Sequence, residues 1–523
     1  MEPQLFAGLD VSTQSCKLVV LDWRGHTLVY ADAVHYDRDL PQYETRNGVI
    51  PGLPEGVSES DPLMWLAAVD LAFERLRASS VHQEHILSLS VSGQQHGLVA
   101  LDKTGMLARP RSKLWNDFST GEECRLLTEA VGGPEAMIRE VGNTQRTGYT
   151  APKIFHMVRH EPEAYGAAGT LFLVHNYINW YLTGGIAVME PGDTSGTALW
   201  NPATGHWSSK VIRAIDPQLP EKLPPVRPSD RSIGTVVRDI AERFGLDPRC
   251  TVDAGSGDNM YGAVGTGNVR PGIVTVSLGT SGTAYTQVGE AFIDPLGEIA
   301  AFCDSTGHHL PLLCVSNLAN GYEALLEQHG LDHEGFSSLL EKTPPGNAGR
   351  LLLPWYSGER TPDLPLAAPL YFGFALSDFR PEILARAVLE GHVLNLYEGF
   401  RRLPVEPDEI RLTGGLARSE AWCQAIADIF ATEAVPVEGE GAALGAALHA
   451  AWVWMKENRG SIPLEEVTAL FVIKDEARRK RPREFARTAC ALQRRLFHAL
   501  AQRAQGKPGE DPFALHEQLT RMA

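Results

Sequence analysis

The chain has 523 residues, too many for a single hydrophobic core, so two or more domains are expected. Apolar residues make up 43% and charged residues 21%, the proportions of an ordinary globular enzyme. Lys and Arg number 47 against 64 Asp and Glu, and the resulting net charge of −17 disfavours nucleic acid as a partner while leaving a small metal-bound nucleotide open.

The opening Met1-Glu2-Pro3-Gln4 lacks a basic segment followed by an apolar one, so no secretory signal is expected. Three short strands follow, Leu5–Leu9, Lys17–Asp22 and Thr27–Ala33, the first two joined by a turn containing Ser12-Thr13-Gln14-Ser15. The Pro- and Gly-rich stretch Leu40–Ser60 reads as loop. Asp61-Pro62 then opens a helix to about Ala78, with Asp as N-cap and an apolar stripe of Trp65, Leu66, Val69, Phe73 and Leu76. Strands Ile86–Ser92 and Gly97–Leu101 flank Gly93-Gln94-Gln95-His96, and Leu219–Ser229 is a Pro-rich connection. Around Gly262–Gly267 an apolar helical segment ends.

A second strand–turn–strand follows at Ile273–Thr286, built around Ser277-Leu278-Gly279-Thr280-Ser281-Gly282. After it come a strand Leu310–Val315, helices near Asn317–His329 and Arg380–Leu403, and a strand Ile410–Thr413 running into Gly414-Gly415. The run Gly441–Met455 imitates a membrane span, but it is shorter than the roughly 20 residues required, is Ala-rich, and is bounded by Glu440 and Lys456. It reads as a buried helix whose small residues admit another helix or a ligand. The last ~60 residues are helical, and Arg478-Arg479-Lys480-Arg481 reads as a solvated helix face. Alternating strands and helices give an α/β class. The repeated hydroxyl-rich turn points to two related lobes: 1–268, 269–458, and a helical extension 459–523 packed on the second.

Seven scattered cysteines, odd in number and without a Cys-x-x-Cys pair, indicate a reducing, cytoplasmic setting with neither a disulfide frame nor a zinc site. His156 and His160 stand four apart, but no Glu follows the first, so the metalloprotease pattern fails and they read as structural or surface histidines. No P-loop, dinucleotide fingerprint or protein-kinase set occurs.

The residues able to do chemistry sit at predicted strand ends. Asp10 closes the first strand, where the bland role is an Asx-turn acid; Thr13, Gln14, Thr280, Ser281 and Gly282 can offer hydroxyl and N–H groups to phosphate oxygens. Asp258 follows the bend Asp253-Ala254-Gly255-Ser256-Gly257 at the mouth of a helix, where it is either a plain N-cap or a base that takes a proton from a substrate hydroxyl. Ser92–Gly97 and Leu114-Trp115-Asn116-Asp117 offer amides, an imidazole, an indole and an acid, a set suited to a polyhydroxylated ligand.

In chain order these segments resemble the FGGY carbohydrate kinases, and within them those acting on D-xylulose. The similarity runs from Leu5 to about Trp454 and includes Gly8–Gln14, Gly93–Gly97, Leu114–Asp117, Thr150-Ala151-Pro152-Lys153, Asp193–Thr197, Gly257-Asp258-Asn259, Ser277–Gly282, Ser357–Pro362, Gly414–Ser419 and Ala443–Ala447. The resemblance implies two ribonuclease-H-like lobes of the actin and sugar-kinase type with a cleft between them, and transfer of the ATP γ-phosphate to a sugar hydroxyl. It implies Asp258 as catalytic base and Asp10 as the acid near Mg2+. Gln95, His96, Trp115, Asn116, Asp117 and Asn259 would contact the sugar. Thr13, Gln14, Gly279, Thr280 and Ser281 would hold phosphates, and Gly414, Gly415, Ser419 and the Ala-Leu-Gly-Ala run would lie on the adenosine side. The implied partners are sugar and ATP, with no nucleic acid and no membrane; relatives are often dimers, though no interface is legible. His156, Glu190 and Ser12 depart from common family residues and bear on sugar preference more than on the reaction. The rival readings are a kinase for ribulose, fuculose or glycerol, and a non-catalytic sugar- or ATP-binding regulator on the same fold.

Overall fold

The computed structural model describes residues 3–439 and 441–522. Met1, Glu2 and Glu440, on which the leader and helix-boundary expectations rest in part, lie outside them. The chain divides into two compact units. The first comprises Met1–Val269, Gln287–Pro311 and Gly439–Val472, and the second Arg270–Thr286, Leu312–Glu438 and Ile473–Ala523.

The first unit is built on a mixed sheet in the order Ser232–Thr235, Thr251–Asp253, Ile86–Gly93, Leu5–Val11, Ser15–Asp22, Thr27–His35, with the short strand Ser256–Gly257 also paired to Ile86–Gly93. Leu5–Val11 is antiparallel to its hairpin partner, with Val11 opposite Cys16, and parallel to Ile86–Gly93, with Asp10 opposite Ser92. The strand is apolar nearly throughout because both of its faces are covered. Leu5, Ala7, Leu9 and Val11 join a core with Trp65, Val69 and Phe73 of helix Pro62–Arg77, whose N-cap Asp61 accepts from the Leu63 N–H as the sequence predicts. Phe6, on the other face, joins a core with Ala443, Ala447 and Val453 of helix Gly441–Asn458.

That helix is the Ala-rich run, and its small residues serve packing. A Cβ at Gly445 would lie 1.8 Å from the Tyr261 carbonyl oxygen, one at Gly265 would lie 2.1 Å from the Gly441 carbonyl oxygen, and one at Gly8 would lie 2.1 Å from the Ala443 carbonyl oxygen. Helix Asp258–Gly265 and strand Leu5–Val11 therefore meet Gly441–Asn458 at backbone distance. This close packing is why a segment far along the chain belongs to the first unit, whereas the sequence division is made of continuous stretches. No helix among the described residues is long and apolar enough to cross a membrane.

The second unit repeats the local plan. Hairpin Ile273–Leu278/Gly282–Thr286 is followed by a strand, Glu409–Thr413, parallel to its first arm, with Ser277 opposite Thr413. Its sheet continues through Ala434–Glu438 to Ile473–Lys474. Helix Glu484–Ala504 buries Leu496, Phe497 and Leu500, and its Gln493 amide donates to the buried Glu390 carboxylate of helix Pro381–Phe400 at 2.7 Å. The basic run 478–481 is not a helix face. Only Arg478 falls in a short 3-10 turn, and the four cations pair with Asp475, Glu409, Glu476, Glu420 and Glu433. The acids supplied by neighbouring strands and helices could not be seen from the run itself.

Gly445→Val should destabilise the fold by at least about 1–3 kcal/mol, since a backbone carbonyl cannot move aside as a side chain can. Gly121→Ala, where a Cβ meets nothing within 4 Å, should change stability by no more than about 1 kcal/mol. Denaturant melts of the two variants check the contrast.

Candidate active site

Three parallel strand ends carry the first unit's polar cluster. Asp10 lies at the end of Leu5–Val11, Ser92 and Gly93 end the neighbouring strand, and Ser256–Gly257 pairs with those two residues before the chain turns into helix Asp258–Gly265. Ligands of open α/β sheets gather at such carboxyl-terminal edges. Gly255 makes the bend possible: its φ is +70°, and a Cβ there would sit 2.7 Å from the Val91 carbonyl oxygen.

Asp10 and Asp258 are both half-buried. Burial pushes the Asp10 carboxyl up to about 6, against the hydrogen bond it accepts from the Ser92 hydroxyl at 2.8 Å and the charge of Lys17. Asp258 is pushed up to about 8, first by burial and then by the like charges of Asp10 and Asp193. Its hydrogen bonds among the described residues all fall on Oδ1, from the Asn259 N–H at 2.8 Å and the Asn259 side-chain amide at 3.0 Å. Oδ2 accepts neither of them.

Behind Asp258 runs a buried chain of polar side chains. The Asn259 amide also donates to the Gln95 carbonyl at 2.7 Å, and the Gln95 amide donates to Asp193 Oδ1 at 3.5 Å. Asp193 Oδ2 lies 3.2 Å from His175 Nδ1, and the Asn176 amide reaches His175 Nε2 at 2.8 Å. With Nε2 accepting, His175 donates through Nδ1, which turns Asp193 into the acceptor that fixes the Gln95 orientation. Glu190, fully buried, accepts from the N–H groups of Gly192 and Asp193 and from the hydroxyls of Ser229 and Ser256. It thereby ties the Asp193 turn to the strand leading to Asp258.

His96 is buried beside Gln95 and holds a left-handed backbone, φ +66°. Its carbonyl accepts from Lys153 Nζ at 2.7 Å and Thr150 Oγ1 at 3.3 Å, and its ring lies 4.7 Å from that of Tyr149. Lys153 is wholly buried, and burial pulls its ammonium down to about 7 against the opposing charge of Asp117.

Trp115 is 43% exposed, and its indole N–H donates to Thr13 Oγ1 at 2.9 Å. A residue expected on the sugar side thus touches one expected on the phosphate side. Asn116 accepts from the Ser58 hydroxyl at 2.8 Å. Asp117 has no exposed surface, and its carboxylate accepts from the Ser58 N–H, Lys113 Nζ and both the N–H and hydroxyl of Ser119. Burial raises its pKa, and these donors together bring it below the ordinary carboxylate value. In this structure Asp117 anchors the Trp115–Asn116 loop. Gln14 is exposed at the tip of the first hairpin, where its carbonyl accepts from the Tyr36 N–H.

In the second unit, Gly279, Thr280 and Ser281 form the exposed hairpin turn. Gly414 and Gly415 leave the end of the parallel strand beside it, since Ser277 pairs with Thr413, and Ser419 precedes helix Glu420–Phe430. The structure therefore gathers Asp10, Thr13, Gln95, His96, Trp115, Asn116, Asp258 and Asn259 in one unit and the glycine- and hydroxyl-rich turns in the other. Sequence reasoning missed the supporting roles of Ser92, His175, Glu190, Asp193 and Lys153. Lys153 and Asp193 were visible only as members of matched segments.

Family models supply an independent comparison. The N-terminal domain of the FGGY family of carbohydrate kinases matches residues 5–265, and its C-terminal domain matches residues 275–454. The chain belongs to this family. A xylulose kinase of Haemophilus influenzae is 34% identical over 485 residues, covering 90% of this chain and 94% of the relative. Among solved structures, a xylulose kinase from Bifidobacterium adolescentis matches with 27% identity and a TM-score of 0.78, over 94% of this chain and 99% of its own. A xyloylose kinase from Brucella ovis matches with 25% identity and a TM-score of 0.85, over 96% and 100%. The mixed α/β class expected from the sequence is thus the fold of an FGGY carbohydrate kinase.

The raised pKa of Asp258 gives this kinase a stability signature. An acid whose folded-state pKa exceeds its unfolded value favours the fold when protonated, and that stability is lost as pH rises through the folded value. Asp258→Asn should therefore gain melting temperature relative to the native chain as pH rises from about 4 through about 8, then level off. A difference in melting temperature that does not vary with pH would contradict the assigned shift.

Proposed function

We propose that this FGGY kinase transfers the γ-phosphoryl group of ATP to D-xylulose, giving D-xylulose 5-phosphate and ADP, with Asp258 as general base. The sugar's terminal hydroxyl oxygen bonds to the γ-phosphorus as the bond to the bridging β–γ oxygen breaks. The hydroxyl proton passes to Asp258, and ADP leaves. Phosphoryl transfer asks a protein chiefly for positioning and charge stabilisation.

The observation that carries this reading is the state of Asp258. It is a half-buried carboxylate at a strand edge, steadied through Oδ1 by Asn259, with the Gln95–Asp193–His175 chain behind it. Gln95, His96, Trp115, Asn116, Asp117 and Asn259 form the proposed sugar-binding set, Asp117 acting through the loop it holds. Thr13, Gln14, Gly279, Thr280 and Ser281 form the phosphate-binding set, and Gly414, Gly415 and Ser419 the nucleoside set.

Asp10 fits a hard cation. It is an oxygen donor, is half-buried, and is raised in pKa beside a second carboxylate, so a positive charge there relieves like-charge repulsion. Magnesium entering with ATP supplies charge neutralisation at the phosphates when bound, and Asp10, directly or through water, would hold it. With the Asp10 charge balanced, Asp258 loses one of the two like charges that keep its proton on, and it becomes a competent base near neutral pH. The choice of D-xylulose rests on the curated relatives, of which the Haemophilus influenzae and Streptomyces coelicolor proteins are both named xylulose kinase. A cytoplasmic location follows from the same reading.

The test is ADP release with D-xylulose, D-ribulose, L-xylulose and glycerol at equal concentration. D-xylulose should give the largest kcat/KM. A larger value for another sugar would reassign the substrate, and no sugar-dependent ADP would remove the kinase reading. Asp258→Asn should lower kcat at least ~100-fold with ATP binding retained.

A further inference from the structure

We propose that Glu123, His156 and His160 form a binding site for a divalent transition-metal ion, zinc foremost, away from the strand-edge cluster. Glu123 lies on helix Gly121–Val131, and the two histidines lie one turn apart on helix Thr150–His160. One ligand atom from each of the three residues falls within 4.8 Å of the other two.

His160 is within hydrogen-bond reach of Glu123, whereas His156 stands beyond it, and both distances are near the spacing of ligands on one ion. Two ligands of a tetrahedral zinc, each about 2.0–2.2 Å from the ion, stand about 3.4 Å apart. His160 Nε2 is 3.1 Å from Glu123 Oε1, and His156 Nδ1 is 3.8 Å from Glu123 Oε2, on either side of that spacing. The His156 contact is too long for a hydrogen bond, and Nδ1 is buried with no hydrogen-bond partner among the described residues. A buried ring nitrogen aimed at a carboxylate across such a gap is accounted for by an ion between them. The two rings are 4.6 Å apart and tilted by 40°, so both can turn a nitrogen to one point.

Nitrogen and carboxylate donors together suit zinc, nickel, copper or cobalt rather than magnesium. Glu123 itself is 2% exposed, whereas the His160 side chain is 46% exposed, so the fourth coordination position opens toward solvent. Two cations bear on the site. Arg159 pairs with Glu123 Oε1 and also with Glu122, at 3.2 Å, and it retains Glu122 when a metal takes the nearer oxygen. Lys113 is engaged by Asp117 and Glu59. An ion here would clamp the two helices together. The second of them carries Lys153, one turn before His156, whose ammonium holds the His96 carbonyl. The clamp would thus brace the loop that carries Gln95 and His96.

The test uses the full chain stripped with a chelator and titrated with zinc by calorimetry and with cobalt by visible absorption. The native chain should bind one ion per chain, show the intense visible bands of tetrahedral cobalt, and melt at a higher temperature with zinc than without. Magnesium should reproduce none of this. His160→Ala, at an exposed position, should melt like the native chain in chelator. It should lose at least the roughly 10–100-fold in affinity that removing even an outer partner of a metal ligand costs, and Glu123→Gln should do the same. Absence of binding by the native chain, or binding that survives unchanged in both variants, would overturn the proposal.

Discussion

Asp10 and Asp258 stand at the same edge of one sheet, and burial together with the charge of Asp10 makes the Asp258 charge hard to hold. Burial raises both carboxyls, and the charges of Asp10 and Asp193 raise Asp258 further; this is the constraint around which the polar cluster is arranged. An acid pushed up to about 8 beside a second carboxyl is a poor structural device, because replacing it with a neutral group would stabilise the fold above its unfolded pKa. The proposed function gives the pair a use, with a proton taken up at Asp258 and a cation balanced at Asp10.

Holding that arrangement falls to a network of polar side chains behind Asp258. The chain from Asn259 through Gln95 and Asp193 to His175 has an assigned direction at every link, so Asp258 is presented in one orientation. Glu190 closes the turn that carries Asp193 and reaches Ser256 in the bend before Asp258. Lys153 serves His96 in the same way, at the cost of burying an ammonium. Beneath them, helix Asp258–Gly265 is seated against Gly441–Asn458 at backbone distance, which permits no side chain at Gly445 or Gly265. A half-satisfied buried polar network would be worse than none, so these links are expected to resist substitution one by one.

Much of this was legible in the chain. The three opening strands, the Asp61-capped helix, the repeated hydroxyl-rich turn and the Gly255 bend are local signals with local causes, and the structure places each within a few residues. The matched segments carried the family. What could not be read was pairing at long range. That Ser92 donates to Asp10, that His175 orients Asp193, and that Arg479, Lys480 and Arg481 pair with Glu409, Glu420 and Glu433 depend on register and packing, not on neighbours in sequence. The resemblance offered Asp117 as a sugar contact; that its carboxylate also accepts from Ser58, Lys113 and Ser119 is something no spacing rule reveals. His156 and His160 were set aside because no Glu follows the first; the carboxylate that faces them, Glu123, stands on a different helix.

The most direct measurement is a crystal structure of the chain with D-xylulose and a non-hydrolysable ATP analogue bound with magnesium. The account predicts the sugar's terminal hydroxyl oxygen within hydrogen-bond reach of the Asp258 carboxylate, about 2.6–3.2 Å, on the Oδ2 side that Asn259 leaves open. A sugar seated elsewhere, or one that turns a different hydroxyl to Asp258, would contradict it.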